Sequence, residues 1–129
     1  MPGLLEDLET AAAWLASALQ QSGYAADGTP ESLHEVERFF REQRRPGGLL
    51  DEDVGRRLFA IGAYVGEVVR GARGGRWIVN DADPHGEIDV ALDLGDGTLV
   101  FPVRRAMTRL TRGEGESFVE LGRDVGVLE

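Results

Sequence analysis

The sequence predicts an α+β fold: N-terminal helices packed on a small antiparallel sheet, with a further helix after the hairpin. Three observations lead there. Apolar residues recur at helical spacing through the first seventy or so positions, strict alternation runs from Ile88 to Leu94, and Gly95-Asp96-Gly97 reads as a hairpin turn. The chain of 129 residues is the size of one domain, with a helical half over about 4–70 and a β-hairpin and C-terminal helix over about 76–129. A chain of this length buries roughly two-thirds of its unfolded surface and needs no metal or disulfide to hold it together.

The first helix is expected from about Leu4 to Ser22. Leu4, Leu8, Ala11, Ala12, Leu15 and Leu19 form one stripe, Glu6, Asp7 and Glu9 favour the positive end of the helix dipole, and Gly23 ends it. Thr29 as N-cap and Pro30 at the first helical position open a second helix, with Leu33, Val36 and Phe40 inward and Pro46-Gly47-Gly48 as the stop. The third and longest helix is expected from about Asp51, its N-cap, to Arg70, with Val54, Leu58, Ile61, Val65 and Val68 on its apolar stripe. Gly55, Gly62 and Gly66 interrupt it at spacings that share one face. Each costs about 1 kcal/mol against Ala in a helix interior, so a smooth face for close packing is the reason to expect there.

Gly71 to Gly75 reads as a loop, and strands follow at Arg76–Asn80, Ile88–Leu94 and Thr98–Phe101. Ile88, Val90, Leu92 and Leu94 face one way and Asp89, Ala91 and Asp93 the other, a pattern for one wet face. Pro102 opens a fourth helix with Val103, Met107 and Leu110 inward and Arg105, Arg109 and Arg112 outward. The stretch from Ser117 to Glu129 fits either a short helix or an edge strand.

Composition narrows the function classes. There is no cysteine, which removes disulfide frameworks, thiol catalysis and cysteine-ligated zinc. The acidic start, without a basic stretch before an apolar run, does not read as a signal peptide, and no apolar run approaches the ~20 residues that span a bilayer. A cytoplasmic protein with no membrane contact is the expectation. The net charge is −9, and all 14 cationic residues are arginine, which points to a GC-rich coding genome of bacterial type. An acidic surface repels phosphate backbones, so nucleic acid is not an expected partner, whereas a basic protein is.

The acidic segment from Asp81 to Asp96 is the most distinctive feature. Laid on a calcium loop, Asp81, Asp83, Gly86, Ile88 and Asp89 match, but Leu92 stands where the bidentate Glu belongs and His85 where an oxygen ligand belongs. A polar turn and a solvated strand face is the plainer reading, with calcium left open. His34 reads as a helix-surface residue and His85 as a turn residue. Glu67 and Arg70 read as a surface ion pair or, together with Trp77 and with His85 at the rim, as the lining of a cleft. Arg104, Arg105, Arg109 and Arg112 read as facing the acidic strand surface or solvent. Gly71–Gly75 follows a helix and precedes a strand, the reverse of a phosphate loop, and neither Gly-x-Ser-x-Gly nor His-Glu-x-x-His occurs. No cofactor and no catalytic residue is therefore expected.

Gly62-Ala63-Tyr64-Val65-Gly66-Glu67-Val68-Val69-Arg70, Gly74-Gly75-Arg76-Trp77, Phe101-Pro102 leading to Arg109, and Gly113-Glu114 before Ser117 carry a resemblance. Over Leu58 to Ser117 the chain is similar to small uncharacterised bacterial domains, some of them grouped with immunity proteins of polymorphic toxin systems. That resemblance implies binding to a partner protein and carries over no catalytic residue. Together these readings predict a non-enzymatic protein-binding domain of inhibitor or immunity type that presents Asp81, Asp83, Asp89 and Asp93 to a basic protein. The alternative is a small-ligand-binding or hydrolytic domain with its cleft at Glu67, Arg70, Trp77 and His85.

Overall fold

Alternating helix signals and one hairpin signal translate into a helical layer and a small sheet. The computed structural model describes residues 3–129. Among these residues the order is α1 (Leu4–Gln21), α2 (Ser32–Gln43), α3 (Val54–Arg73), β1 (Arg76–Ile78), β2 (Ala91–Asp93), β3 (Leu99–Val100), α4 (Pro102–Arg112), a 3-10 turn (Glu114–Glu116) and α5 (Phe118–Asp124). The chain is α+β, with helices before the sheet and after it.

Local chemistry sets the helix ends. Gly23 takes φ +92° after α1, and the Tyr24 amide donates back to the Leu19 carbonyl at 2.9 Å, closing that end. Thr29 does not cap α2 as expected. Its hydroxyl donates to Asp27 Oδ1 at 2.6 Å, and Pro30 and Glu31 instead form a tight turn of i→i+3 bonds leading into Ser32. Asp51 is not the cap of α3 either: its carboxylate accepts from the Gly47 amide at 2.9 Å, and the cap position falls to Asp53, held at φ 50° with no side-chain cap. At its other end α3 runs through Gly71 to Arg73, three residues further than the expected end.

β2 lies between β1 and β3 and is antiparallel to both. The register Trp77↔Leu92 and Leu92↔Val100 puts these three side chains on one face. The alternating run from Ile88 is only half a strand. Successive turns at Asp83, His85 and Gly86 (Gly86 N to Asp83 O 3.0 Å, Ile88 N to His85 O 3.1 Å) consume residues up to Asp89. Turn chemistry at Asp83-Pro84-His85-Gly86 overrides the alternation. Ala91, expected on the wet face, is buried.

α3 is the central helix, with α1 and α4 both lying against it. Its glycines explain how closely. A Cβ at Gly62 would stand 2.6 Å from Val103 Cα of α4, and one at Gly66 would overlap the Trp77 ring of β1. Val103 on Gly62 fixes the roll of α4, and steps of three then turn Ala106 and Arg109 inward. This corrects the expected orientation: Arg109 is fully buried and Met107 is exposed. The burial is possible because Glu37 of α2 is buried opposite it. Arg109 Nε donates to Glu37 Oε1 at 2.8 Å, the Phe118 amide donates to Glu37 Oε2 at 2.9 Å, and the guanidinium carbon stands 5.2 Å from the Phe40 ring centroid. Phe40 in turn packs on Phe118 at 5.3 Å. One carboxylate thus ties α2, α4 and α5 together. The last segment is a helix: Ser117 Oγ accepts from the Glu120 amide at 3.0 Å and caps α5.

Candidate functional site

The four aspartates read from the sequence as a contact surface all have work inside the fold. Asp81 Oδ1 accepts from the Leu4 amide at 2.7 Å. Gly3, the cap residue of α1, has no side chain to offer, so a carboxylate from the turn after β1 takes that place, where the helix dipole favours an anion. Asp83 Oδ1 holds the His85 amide at 2.9 Å, and Asp93 Oδ1 holds the Gly95 amide at 2.9 Å; both bonds shape turns. Asp89 pairs with Arg104 at 2.6 Å, both side chains about half exposed. Arg104 therefore does face the acidic segment, as expected of it. Asp96, the next acidic residue, pairs with Arg73, and hydrogen bonds from the Thr98 hydroxyl and amide, with Arg73 adding less, hold its carboxyl below the usual range. Among the described residues, no group of three or more His, Asp or Glu is placed to hold a metal ion.

Glu67, Arg70 and Trp77 do come together. Glu67 Oε2 accepts from Arg70 Nε at 2.6 Å and from the Trp77 indole at 3.0 Å, and Oε1 accepts from Arg70 Nη2 at 3.0 Å. The Arg70 hydrogen bond holds the Glu67 carboxyl below its ordinary value, and the Trp77 bond adds to it against the opposing effect of burial. The trio is a closed set of bonds over the α3–β1 junction. His85 stays in its exposed turn. None of the four lines any of the four hollows described next.

A hollow of about 650 Å³ lies between α1 and the start of α3. Leu4, Asp7, Ala11 and Trp14 come to it from α1 at helical spacing, Gly55, Arg56 and Phe59 from α3, and Glu87 from the turns that follow Asp83. Trp14 is 54% exposed and also borders a smaller, mainly apolar hollow of about 140 Å³ with Leu19, Phe39, Leu49 and Ile61. Asp7, Asp53 and Glu87 make no side-chain hydrogen bond or ion pair among the described residues, and neither does Arg56. Arg57 Nη1 is taken by the Leu49 carbonyl. The other two hollows are a groove of about 360 Å³ between β3, α4 and α5, and a polar dent of about 260 Å³ over Glu37 with His34, Arg41 and Ser117 at its edge.

This α1–α3 groove combines an apolar floor, a half-exposed indole and carboxylates without side-chain partners among the described residues. The sequence reading passed over it. A signal was present, because Trp14 falls outside the Leu4–Leu19 stripe and so stands on the solvent side of α1. No protein-family model, curated protein or solved structure matches this chain.

Proposed function

We propose that the chain is a non-enzymatic domain that binds a basic protein, in the manner of an inhibitor or immunity protein, and that the α1–α3 groove is its contact surface. The observation that carries this reading is Trp14, half exposed between two hollows. A large aromatic left in water beside an apolar groove is the type of residue that dominates protein interfaces, since its burial on binding releases water from both sides of the ring. Net charge supplies the partner's sign. At −9, with Asp7, Asp53 and Glu87 unengaged at the groove, the domain steers cationic surfaces toward itself. The surface first read at Asp81, Asp83, Asp89 and Asp93 adjoins this groove through Glu87 but has its own internal partners, which leaves it the lesser contributor.

The cleft reading at Glu67, Arg70, Trp77 and His85 has less support, because Glu67 is already held by its two neighbours. The test is affinity capture from the source cell at low and high salt, with wild type and Trp14→Ala side by side. A stoichiometric basic protein, retained at low salt and lost both at high salt and from Trp14→Ala, supports the reading. A partner indifferent to salt and to Trp14 contradicts it.

A further inference from the structure

Resting on that protein-binding reading, we infer that the partner's docking element is an amphipathic helix carrying Lys or Arg on one flank, laid along the α1–α3 groove. Three features of the groove carry this. Its α1 wall is a helical stripe, Leu4, Asp7, Ala11 and Trp14, which at 1.5 Å per residue runs about 15 Å, room for about three turns of a partner helix. Its α3 wall presents Gly55, where a Cβ would meet nothing within 4 Å. Gly62 lies two turns further along the same face, and there a helix of this very chain, α4, packs backbone-close. The face that receives α4 at Gly62 therefore continues uncovered to Gly55, and a helix entering the groove meets the same kind of notch.

Charge selects which helix. The charged groups at the groove are three carboxylates, Asp7, Asp53 and Glu87, none with a side-chain partner among the described residues, against two guanidiniums, Arg56 and Arg57, of which Arg57 is turned to the Leu49 carbonyl. A cationic flank is drawn to the carboxylates while apolar residues at i, i+3, i+4 and i+7 fill the floor beside Trp14, Ala11 and Phe59. The net charge of −9 disfavours an acidic helix.

Selection of randomised peptides about four helical turns long, displayed against the intact domain, tests this. The expected result is enrichment of sequences with apolar residues at three- and four-residue spacing and net positive charge. Their binding falls about tenfold or more on Trp14→Ala and also on Gly55→Leu, which fills the notch. Circular dichroism melts of both variants within a few degrees of wild type tie the loss to the surface. Enrichment of acidic or non-periodic peptides that still depend on Trp14 overturns the basic-helix assignment while leaving the groove as a docking site. Peptides indifferent to Trp14, or no enrichment at all, overturn the docking site itself.

Discussion

The two ends of α3 differ in what covers them. Toward its C-terminal end, Gly62 and Gly66 are covered by Val103 and Trp77, and Glu67 is tied to Arg70 and Trp77. Toward its N-terminal end, Gly55 is open, the cap is bare, and the neighbouring indole, Trp14, stands half in water. The same contrast divides the two tryptophans. Trp77 gives its indole proton to Glu67 and its ring to Gly66, whereas Trp14 borders two hollows with its ring half in solvent. Identical residue types perform packing at one end and leave an unfilled surface at the other. Glycine alone therefore does not announce a site; what covers it decides.

The largest effect is expected at the buried pair between α2 and α4. Arg109→Met leaves the Glu37 carboxylate buried without its cation, and the expected loss is about 3–5 kcal/mol in urea unfolding. A loss under about 1 kcal/mol would mean the pair does not bind α2 to α4. Next, Gly62→Ala forces a methyl against the α4 backbone and is expected to cost about 1–3 kcal/mol, whereas Gly55→Ala, in open space, is expected to stabilise by up to about 1 kcal/mol. Opposite signs for two Gly→Ala changes on one helix face are the sharpest test of the comparison. Equal effects would erase it. Ser117→Ala removes the α5 cap, with an expected cost of about 1 kcal/mol in the same measurement.

Smaller still is a pH effect. Arg38 beside Glu35, with the Ala25 amide adding its bond, holds the Glu35 carboxyl down to about 2. A depressed carboxylate stabilises the fold above its unfolded pKa, and that contribution is lost as pH falls from the ordinary carboxylate range through about 2. Acid titration of melting temperature is expected to be shallower across that window for Glu35→Gln than for wild type; parallel curves would remove Glu35 from the account.

Much of the fold was legible in the sequence, because helical stripes and the Gly95-Asp96-Gly97 turn depend on neighbours a few positions away. The α5 cap was legible too, in Ser117-x-x-Glu120, and went unread. What escaped depends on distant partners. Nothing local says that Asp81 caps a helix 77 positions earlier, or that Arg109 turns inward because Glu37 waits for it 72 positions before. The proposed contact surface shifts for the same reason. Counting acidic residues along the chain found Asp81, Asp83, Asp89 and Asp93, but which carboxylates remain unengaged is settled only once the turns and ion pairs have taken theirs.

Hydrogen exchange of the domain, alone and bound to its captured partner, tests the central claim most directly. The account predicts slowed exchange over Leu4–Trp14 and Asp53–Ala60, with the hairpin from Arg76 to Val100 unchanged. Protection confined to the hairpin, with α1 and the start of α3 exchanging as in the free domain, would contradict it.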